Sequence, residues 1–547
     1  MRRLLILMTC VLPLPAAPVA LAEEPTFSRE VAGIIHSKCT TCHRPGSSAP
    51  FSLITFRDVQ QRAATIDAVL ANNYMPPWKP VDHGIAFANS RGLSPQQKRT
   101  VQRWIAAGCP EGDPRETPAP QPFSDGWSLG PPDLVIRMQG QFEVPADGPD
   151  IYRSFVFPVN LPQDKWVKAV ELRPTATSAV HHAIFFVDST GNARRLDGAD
   201  GQAGLTGMGF LADFGGTSEA DTPGGSRTPR NRLRDSRLLQ RFRKAAPKEQ
   251  DTATQGTRAL RSLGGYVPGS TPNRLPGDLA MPLPKGSDIV MQTHFHPSGK
   301  VETEQAELAL YFADRPPSRR IVPVMVPPMF GFGAGIRVPA GQANYRVTDS
   351  ITLPVDTLAV GVTGHAHYIC REMRLTGTLP DGRTAVLLHI NDWDLDWQDQ
   401  YLFERPLELP AGTTLRAEIT YDNSADNPRN PHSPPRDISW GRGSTDEMGS
   451  MTLTTIAKQQ ADEGALEAGV QRHIVAQLVN RQSGDLAEML MQLDDDGDGK
   501  LLGAEIPPRM NDRAIRLIDT NNDGGLDRDE ITRALRLRDQ LRGGRSR

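Results

Sequence analysis

Charge of one sign, aromatic residues and long apolar runs are all scarce in this sequence. The 547 residues include 61 Lys and Arg against 64 Asp and Glu, which gives a formal net charge of −3. The chain therefore lacks the basic surplus that is typical of a nucleic-acid-binding protein. Hydrophobic residues make up 38% and aromatic residues 6% of the chain, which excludes a protein with many membrane spans.

The beginning of the sequence has the pattern of a secretory signal. Arg2 and Arg3 precede the apolar run Leu4–Val11, and Ala20 and Ala22 fit a cleavage site. Residues 1–22 are therefore predicted to be removed, and the mature protein is expected in the periplasm or outside the cell. No later stretch is long and apolar enough to span a bilayer, so no stable membrane anchor is expected.

Cysteine is also scarce. After the predicted cleavage four cysteines remain: Cys39, Cys42, Cys109 and Cys370. This number is too small for a disulfide framework, particularly because two of the four fall in one short motif. Cys109 and Cys370 are predicted to be buried free thiols.

Composition and periodicity divide the rest of the chain into regions. The regions are 24–113, 114–133, 134–457 and 458–547. The first predicts short helices at 56–72 and 94–107, the second of them with Ser94 as N-cap. The next region is a Pro-rich linker, and the third consists of short strand-like runs that are typical of β-sandwiches. A helical pattern returns in the last region. We therefore predict a multidomain protein with a small all-α domain, an all-β centre and a helical tail.

One segment of the β region departs from this pattern. Residues 197–262 are rich in Gly, Thr and Arg and include a basic stretch from Arg227 to Lys248. We predict a surface insertion here. The alternatives are a lid over a site and a docking patch for an anionic partner.

A haem attachment motif lies near the predicted mature start. Cys39, Cys42 and His43 form C-x-x-C-H, in which the two thiols bond the haem and the histidine binds its iron. Met75 is the preferred candidate for the second axial ligand, with His36 and His83 as alternatives. The region resembles small one-haem cytochrome c domains, which implies a haem c cofactor.

Histidines are concentrated in the β region. Six of the 12 histidines fall in three clusters there: His181–His182, His294–His296 and His365–His367. Residues i and i+2 of a strand share a face, so the last pair can converge on one ion. The adjacent first pair needs a local twist, or the use of different ring nitrogens on the two residues, to do so. Neutral imidazoles bind zinc and copper alike, and the residue types alone leave both metals open.

The sequence segments around these histidines resemble those of a known family. The segments are Ala179–Phe186, Asn273–Pro276 with Val290–His294, Gly361–His367, and Gly443–Met448. In content and order they resemble the type II, ascorbate-dependent copper monooxygenases, the family of peptidylglycine α-hydroxylating monooxygenase and dopamine β-monooxygenase. The resemblance implies two jelly-roll-like β-sandwich lobes, residues 134–322 and 323–457, with one copper ion each.

The resemblance also implies a ligand set. The first copper ion would be held by His181, His182 and His294, and the second, catalytic ion by His365, His367 and Met448. His296 has no counterpart in that scheme and is expected beside the ligands or at the surface.

The implied activity is hydroxylation of a C–H bond of a small-molecule substrate with O₂. Two electrons must come from an external donor, and the fused haem is expected to relay them. Thr363 and Thr452 stand where peptide-amidating members have an Arg and a Tyr, so peptide amidation is not expected. The alternative is a non-catalytic copper-binding or electron-transfer protein.

Two acidic loops near the end of the chain match the EF-hand pattern. Carboxylate, amide and backbone oxygens at fixed spacing predict Ca²⁺ binding that stabilises the tail. The predicted calcium ligands are Asp494, Asp496, Asp498, Lys500 and Glu505 in the first loop and Asp519, Asn521, Asp523, Gly525 and Glu530 in the second.

Overall fold

The computed structural model describes most of the chain after residue 23. The described residues are 24–120 except 46, 48 and 89; 126–206; 260–441 except 269 and 271; 443–479; 487; 491; 499–502; and 518–543 except 522. The predicted signal peptide and most of the predicted insertion 197–262 lie outside them. The chain divides into two compact units, the first from residues 1–45, 50–76 and 93–121 and the second from residues 46–49, 77–92 and 122–547.

The first unit is built from helices. They are α1 (Ala32–Lys38), α2 (Phe56–Gln60), α3 (Ala63–Ala71) and α4 (Pro95–Ala106), preceded by a π-helix at Phe27–Val31. Phe27 and Trp104 lie in its core with ring centroids 6.1 Å apart. Ser94 caps α4 as predicted, in a capping box with Gln97.

The prediction of one continuous helix over residues 56–72 is wrong. Two helices stand in its place, because Arg62 leaves the helical region at φ −108° and ψ 7°. A capping box of Thr55 and Asp58 starts the first helix, which ends after five residues.

A segment of the predicted haem region packs elsewhere. Residues 77–92 belong to the second unit. They pair with its strands through the bridges Pro80↔Ile390 and Phe87↔Phe403. Their apolar side chains are therefore used by the β part of the chain and not by the helical unit.

The second unit contains a first lobe of antiparallel sheets, lobe 1, residues 134–312. One sheet has the strand order β1-β11-β4-β8 and the other β6-β3-β9-β5-β7, with β10-β2 as a separate pair. The bounds are β1 Leu134–Arg137, β2 Phe142–Val144, β3 Ile151–Pro158, β4 Lys165–Arg173, β5 Val180–Asp188, β6 Leu205–Thr206, β7 Leu260–Tyr266, β8 Met281–Leu283, β9 Asp288–Phe295, β10 Glu302–Glu304 and β11 Glu307–Phe312; helix α5 is Asn192–Leu196.

Lobe 2, residues 322–457, repeats this plan. Its sheets have the orders β12-β21-β15-β18 and β14-β19-β16-β17, with β13-β20 as a separate pair. The bounds are β12 Val322–Val326, β13 Arg337–Val338, β14 Tyr345–Thr352, β15 Thr357–Ala366, β16 Cys370–Thr378, β17 Thr384–Ile390, β18 Gln400–Leu409, β19 Thr414–Tyr421, β20 Ile438–Ser439 and β21 Gly449–Ala457; short 3₁₀ helices lie at Met329–Ala334 and Leu395–Trp397.

Each lobe encloses its own apolar core. The core of lobe 1 uses buried residues from Ile136 to Leu310, and that of lobe 2 uses buried residues from Val322 to Leu466. Along β14 buried and exposed residues alternate, as expected for a strand with one face on the core. The prediction of a mainly β chain is confirmed. Cys109 and Cys370 are buried free thiols, which is also as predicted.

The regions flanking the lobes pack on them. Trp127 and Leu129, at the end of the predicted linker, pack against Tyr311 of lobe 1. Helix α6 (Glu463–Val479) buries Leu466 in the core of lobe 2. Farther on, β22 (Lys500–Leu501) pairs with β23 (Leu526–Asp527), and α7 (Arg528–Gly543) follows. Among the described residues, no helix combines the length and apolar character that membrane crossing requires.

Helix α6 is expected to contribute to the stability of lobe 2. Leu466→Ala should destabilise that lobe by about 2–5 kcal/mol, because it leaves a cavity in a closed core. Thermal unfolding followed by circular dichroism measures this loss. Gln471→Ala, at an exposed position of the same helix, is the matched control. Equal melting temperatures for the two variants would contradict the docking of α6.

Candidate functional site

A β-bulge aims the first pair of histidines. Strands β5 and β9 are antiparallel, and His182 lies directly opposite His294. The register shifts between Val180 and His182, so His181 is the extra residue of the bulge. A bulge bends the strand and redirects a side chain. It supplies the local twist that joint use of two adjacent histidines requires.

The structure brings the three histidines of lobe 1 together. His181, His182 and His294 each offer one ring nitrogen, and these nitrogens all lie within 4.8 Å of one another. The Nδ1 atoms of His182 and His294 are 3.4 Å apart. Two nitrogens that bind one ion at their usual bond length are about 3.3 Å apart in tetrahedral geometry. This histidine cluster can hold a metal ion.

Two histidines of the cluster, His181 and His182, are uncharged near pH 7. Burial and the neighbouring His294 lower the pKa of His181 to about 4. Burial lowers the pKa of His182 well below its usual value as well. Neutral rings keep the lone pairs that a metal ion needs. Within the described chain the buried Nδ1 of His181 makes no hydrogen bond, but the carboxylate of Asp396 lies 3.2 Å from it.

Asp150 orients the cluster and was missed by sequence reasoning. Its carboxylate accepts hydrogen bonds from His294 Nε2 at 2.9 Å, His296 Nδ1 at 2.8 Å and the Tyr368 hydroxyl at 2.8 Å. Burial opposes the charge of Asp150, but these bonds outweigh it and hold its pKa below the usual range. With Nε2 donating to Asp150, Nδ1 of His294 presents its lone pair to the cluster.

Two further residues, Tyr152 and His296, lie next to His294. Tyr152 lies opposite it in β3 and stacks on its ring, with centroids 4.3 Å apart and planes within 6°. His296 is exposed and shares Asp150 with His294. The prediction that His296 lies beside the ligands or at the surface is consistent with both observations.

The second predicted pair lies at the end of β15 in lobe 2. The ring centroids of His365 and His367 are 5.4 Å apart. His365 Nδ1 bonds Gln398 Oε1 at 2.6 Å, and His367 Nδ1 donates to the Asp446 carbonyl at 3.2 Å. Burial lowers the pKa of His365 to about 4 and that of His367 to about 3, so both rings are neutral near pH 7.

Met448 directly precedes β21, the strand that pairs with the end of β15. In the ladder of β15 and β21, His365 lies opposite Ser450 and Ala366 opposite Gly449. The Met448 side chain is buried, with 7% of its surface exposed.

Glu447, a fully buried carboxyl group, fixes the backbone around Met448. It accepts hydrogen bonds from the amides of His367 at 2.5 Å, Met448 at 2.9 Å and Ile369 at 3.2 Å. Burial raises its pKa to about 8 despite these bonds. Its only signal in the sequence is its position next to Met448, which is too weak to assign a role.

The residues of the haem motif lie together at the end of α1. Burial and the neighbouring Cys42 raise the pKa of Cys39 to about 12. His43 Nδ1 donates to the Phe51 carbonyl at 3.2 Å, which leaves Nε2 as the nitrogen with a lone pair. No disulfide joins the two cysteines.

The candidates for the second axial ligand differ in their surroundings. Met75 is half-buried just after α3, and its role stays a prediction. His36 is buried, with Nε2 bonded to the Ile54 carbonyl at 3.0 Å. His83 belongs to the second unit, where its Nε2 meets His389 Nδ1 at 2.9 Å, which argues against it.

The second acidic loop has an ordered set of internal hydrogen bonds. Glu530 accepts from the amides of Thr520 and Asn521, and Asp519 accepts from that of Gly524 at 3.1 Å. Leu501 pairs with Leu526, the eighth residues of the two predicted loops. Lys500 pairs through its ammonium group with Asp523 at 2.5 Å. Asp494, Asp496, Asp498 and Glu505 lie outside the described residues, so the first loop is not described as a site.

Comparison with known proteins yields no assignment. No family model matches the chain, and no curated protein matches it. Among solved structures, PNGF-II in a P21 crystal form is similar over 59% of this chain and 65% of that chain, just under two thirds of it, with 11% identity and a TM-score of 0.24. A peptide-N(4)-(N-acetyl-β-D-glucosaminyl) asparagine amidase is similar over 60% of this chain and 96% of that chain, with 11% identity and a TM-score of 0.24. The VP2 subviral particle of infectious bursal disease virus is similar over 61% of this chain and 75% of that chain, with 10% identity and a TM-score of 0.17. These TM-scores carry no argument about fold or function.

Asp150 should control metal affinity at the histidine cluster. Asp150→Asn is expected to weaken Zn²⁺ and Cu²⁺ binding about 10–100-fold, because the amide no longer fixes the tautomer and orientation of His294. Competition titration against a chromophoric chelator measures the change. Asp147→Asn, an exposed residue of the same loop, should bind like the parent protein. If Asp150→Asn binds as tightly as this control, the orienting role is wrong.

Proposed function

We propose that this chain is an exported copper-dependent monooxygenase that hydroxylates a C–H bond of a small-molecule substrate with O₂. The observation that carries the proposal is the pair of histidine groups: three imidazoles in lobe 1, and two in lobe 2 at the end of β15, which pairs with the strand that directly follows Met448. Each histidine group also lies in a sequence segment that resembles a copper-binding segment of the type II copper monooxygenases. The chain would then bind two copper ions.

The donor atoms suit copper. Imidazoles bind copper and zinc, but the thioether of Met448 is a soft ligand that favours Cu(I). Bound copper would supply the one-electron redox chemistry and oxygen activation that hydroxylation needs. His365, His367 and Met448 would hold the ion in lobe 2, and His181, His182 and His294 the ion in lobe 1.

The protein's own residues would prepare both groups for this role. Asp150 turns one nitrogen of His294 toward the cluster, while Gln398 and the Asp446 carbonyl each occupy one nitrogen of His365 and His367. Glu447 fixes the backbone on both sides of the Met448 site. Ligands held in this way need little reorganisation when a metal ion binds.

The proposed substrate has no carboxylate at the position where a glycine-extended peptide carries one. Thr363 and Thr452 are direct partners across β15 and β21, so the two positions form one patch. The Thr363 hydroxyl donates to the Asp399 carbonyl at 3.0 Å. Two neutral hydroxyl side chains supply no cation for a substrate carboxylate, which supports a substrate other than a glycine-extended peptide.

The other cofactors extend the proposal. Cys39, Cys42 and His43 would bind haem c, with Met75 as the preferred second axial ligand, and this haem would pass electrons from an external donor to the copper of lobe 1. Tethering in one chain raises the effective concentration of donor and acceptor. Asp519, Asn521, Asp523, Gly525 and Glu530, with the first loop, would bind Ca²⁺ and stabilise the tail.

Met448 separates an oxygenase from a copper protein without activity. The copper-loaded, reduced protein is incubated under ¹⁸O₂ with an extract of its native medium, and labelled products are sought by mass spectrometry. Wild type should incorporate label, whereas Met448→His should keep two copper ions and lose most of the labelling because it loses the soft ligand. Met451→Leu, a volume-conserving change in the adjoining strand, is the control. Copper binding without label in wild type would favour the electron-transfer alternative, and purified protein with zinc in place of copper would contradict the proposal.

The haem relay has its own test. Replacing Cys39 and Cys42 with Ala should abolish covalent haem and slow the loss of the Cu(II) EPR signal after mixing with ascorbate, because the relay is gone. Cys109→Ala, a change of the cysteine outside the motif, should behave like wild type. Copper reduction at an unchanged rate in the double variant would show that the haem does not deliver the electrons.

A further inference from the structure

Three contacts join lobe 2 to the histidine cluster of lobe 1. The Tyr368 hydroxyl donates to Asp150 at 2.8 Å, and Asp396 Oδ1 lies 3.2 Å from His181 Nδ1. The hydroxyl of Tyr152, whose ring stacks on His294, lies beside Ser444. Each contact therefore ends on a histidine of the cluster or on a residue that touches one.

Asp396 is presented to His181 by a rigid turn. It lies in the 3₁₀ helix Leu395–Trp397, and the adjoining Trp393 and Leu395 are buried in lobe 2, with 2% and 5% exposure. Asp394 caps this helix by accepting from the Asp396 amide at 3.1 Å, and it pairs with Lys79 at 3.4 Å. The charge of Asp394 is thus used within lobe 2, whereas the carboxylate of Asp396 faces lobe 1.

Tyr368 is held between two anchored residues. The amides of His367 and Ile369, on either side of it, both donate to the buried Glu447. Its own side chain extends to Asp150 of lobe 1. His367 is a predicted ligand of the second metal ion. The next residue, Tyr368, donates its hydroxyl to Asp150, the carboxylate that orients the cluster of lobe 1.

We infer that lobe 2 completes the metal site of lobe 1, with Asp396 acting through His181 and Tyr368 acting through Asp150 as positioning residues. Carboxylates and their hydrogen-bond partners around ligating histidines orient the rings and raise metal affinity. By linkage, an ion in the cluster also strengthens the docking of lobe 2 on lobe 1. The inference rests on the part of the proposed function that places a metal ion in the cluster, and not on the oxygenase reaction.

Metal affinity of the full chain tests the inference. All proteins carry His365→Ala and His367→Ala, so that the cluster is the one remaining predicted copper site, and Cu²⁺ is titrated in competition with a chromophoric chelator. Asp396→Asn should weaken binding about 10–100-fold, and Tyr368→Phe about 5-fold, the effect of one hydrogen bond. Asp396→Glu keeps the carboxylate and should retain most of the affinity. Asp381→Asn makes the same chemical change at an exposed turn of lobe 2 and should have no effect.

A second readout separates positioning from general stability. The metal-free variants should melt at the temperature of the metal-free parent, and Cu²⁺ should slow hydrogen exchange at residues 394–398 in the parent but not after His294→Ala. Loss of affinity that only follows a loss of metal-free stability would overturn the inference. Equal affinities in parent, Asp396→Asn and Tyr368→Phe would overturn it and leave the proposed function standing, whereas a parent that binds no Cu²⁺ would overturn both.

Discussion

Each polar nitrogen of a buried histidine needs a partner, and this constraint governs the centre of the β part. His182 and His294 are buried opposite each other on β5 and β9, and the bulge adds His181 to the same space. Asp150 satisfies the outer nitrogen of His294, but the inner nitrogens of His182 and His294 face each other. Burial keeps the rings of His181 and His182 uncharged. Without a metal ion, Nδ1–H of His182 can donate to the Nδ1 lone pair of His294, whereas a bound ion would take both nitrogens as ligands.

In each lobe one acidic side chain anchors the histidine group, but the two side chains accept hydrogen bonds from different kinds of donor. One carboxylate anchors each histidine group: Asp150 in lobe 1 and Glu447 in lobe 2. Glu447 accepts only backbone amides of its own lobe, whereas Asp150 accepts side chains from both lobes. The group in lobe 2 is therefore supported within its lobe, and the cluster in lobe 1 depends on its neighbour.

Local sequence patterns predicted the elements better than the long-range partners. The short strand-like runs predicted for residues 134–457 are confirmed, for example by β3 and β11. The spacing of His365 and His367 predicted a shared face, but nothing in the sequence predicted the bulge that brings in His181. Asp150, Glu447 and Asp396 are single acidic residues without a local pattern, and their partners are far along the chain, 144 positions for Asp150 and His294. Residues 77–92 were assigned to the haem region because of their position, whereas their aromatic side chains found a better apolar surface on lobe 2.

The packing of residues 77–92 has a consequence for the cluster of lobe 1. Both ends of this segment continue directly into the helical unit, so two of the connections of that unit lead into a segment that pairs with lobe 2. Within the same segment, Lys79 pairs with Asp394, the residue that caps the helix presenting Asp396 to His181. A single chain of contacts thus leads from this segment to a predicted metal ligand. The position of Asp396 beside His181 therefore depends in part on a contact that residues 77–92 make.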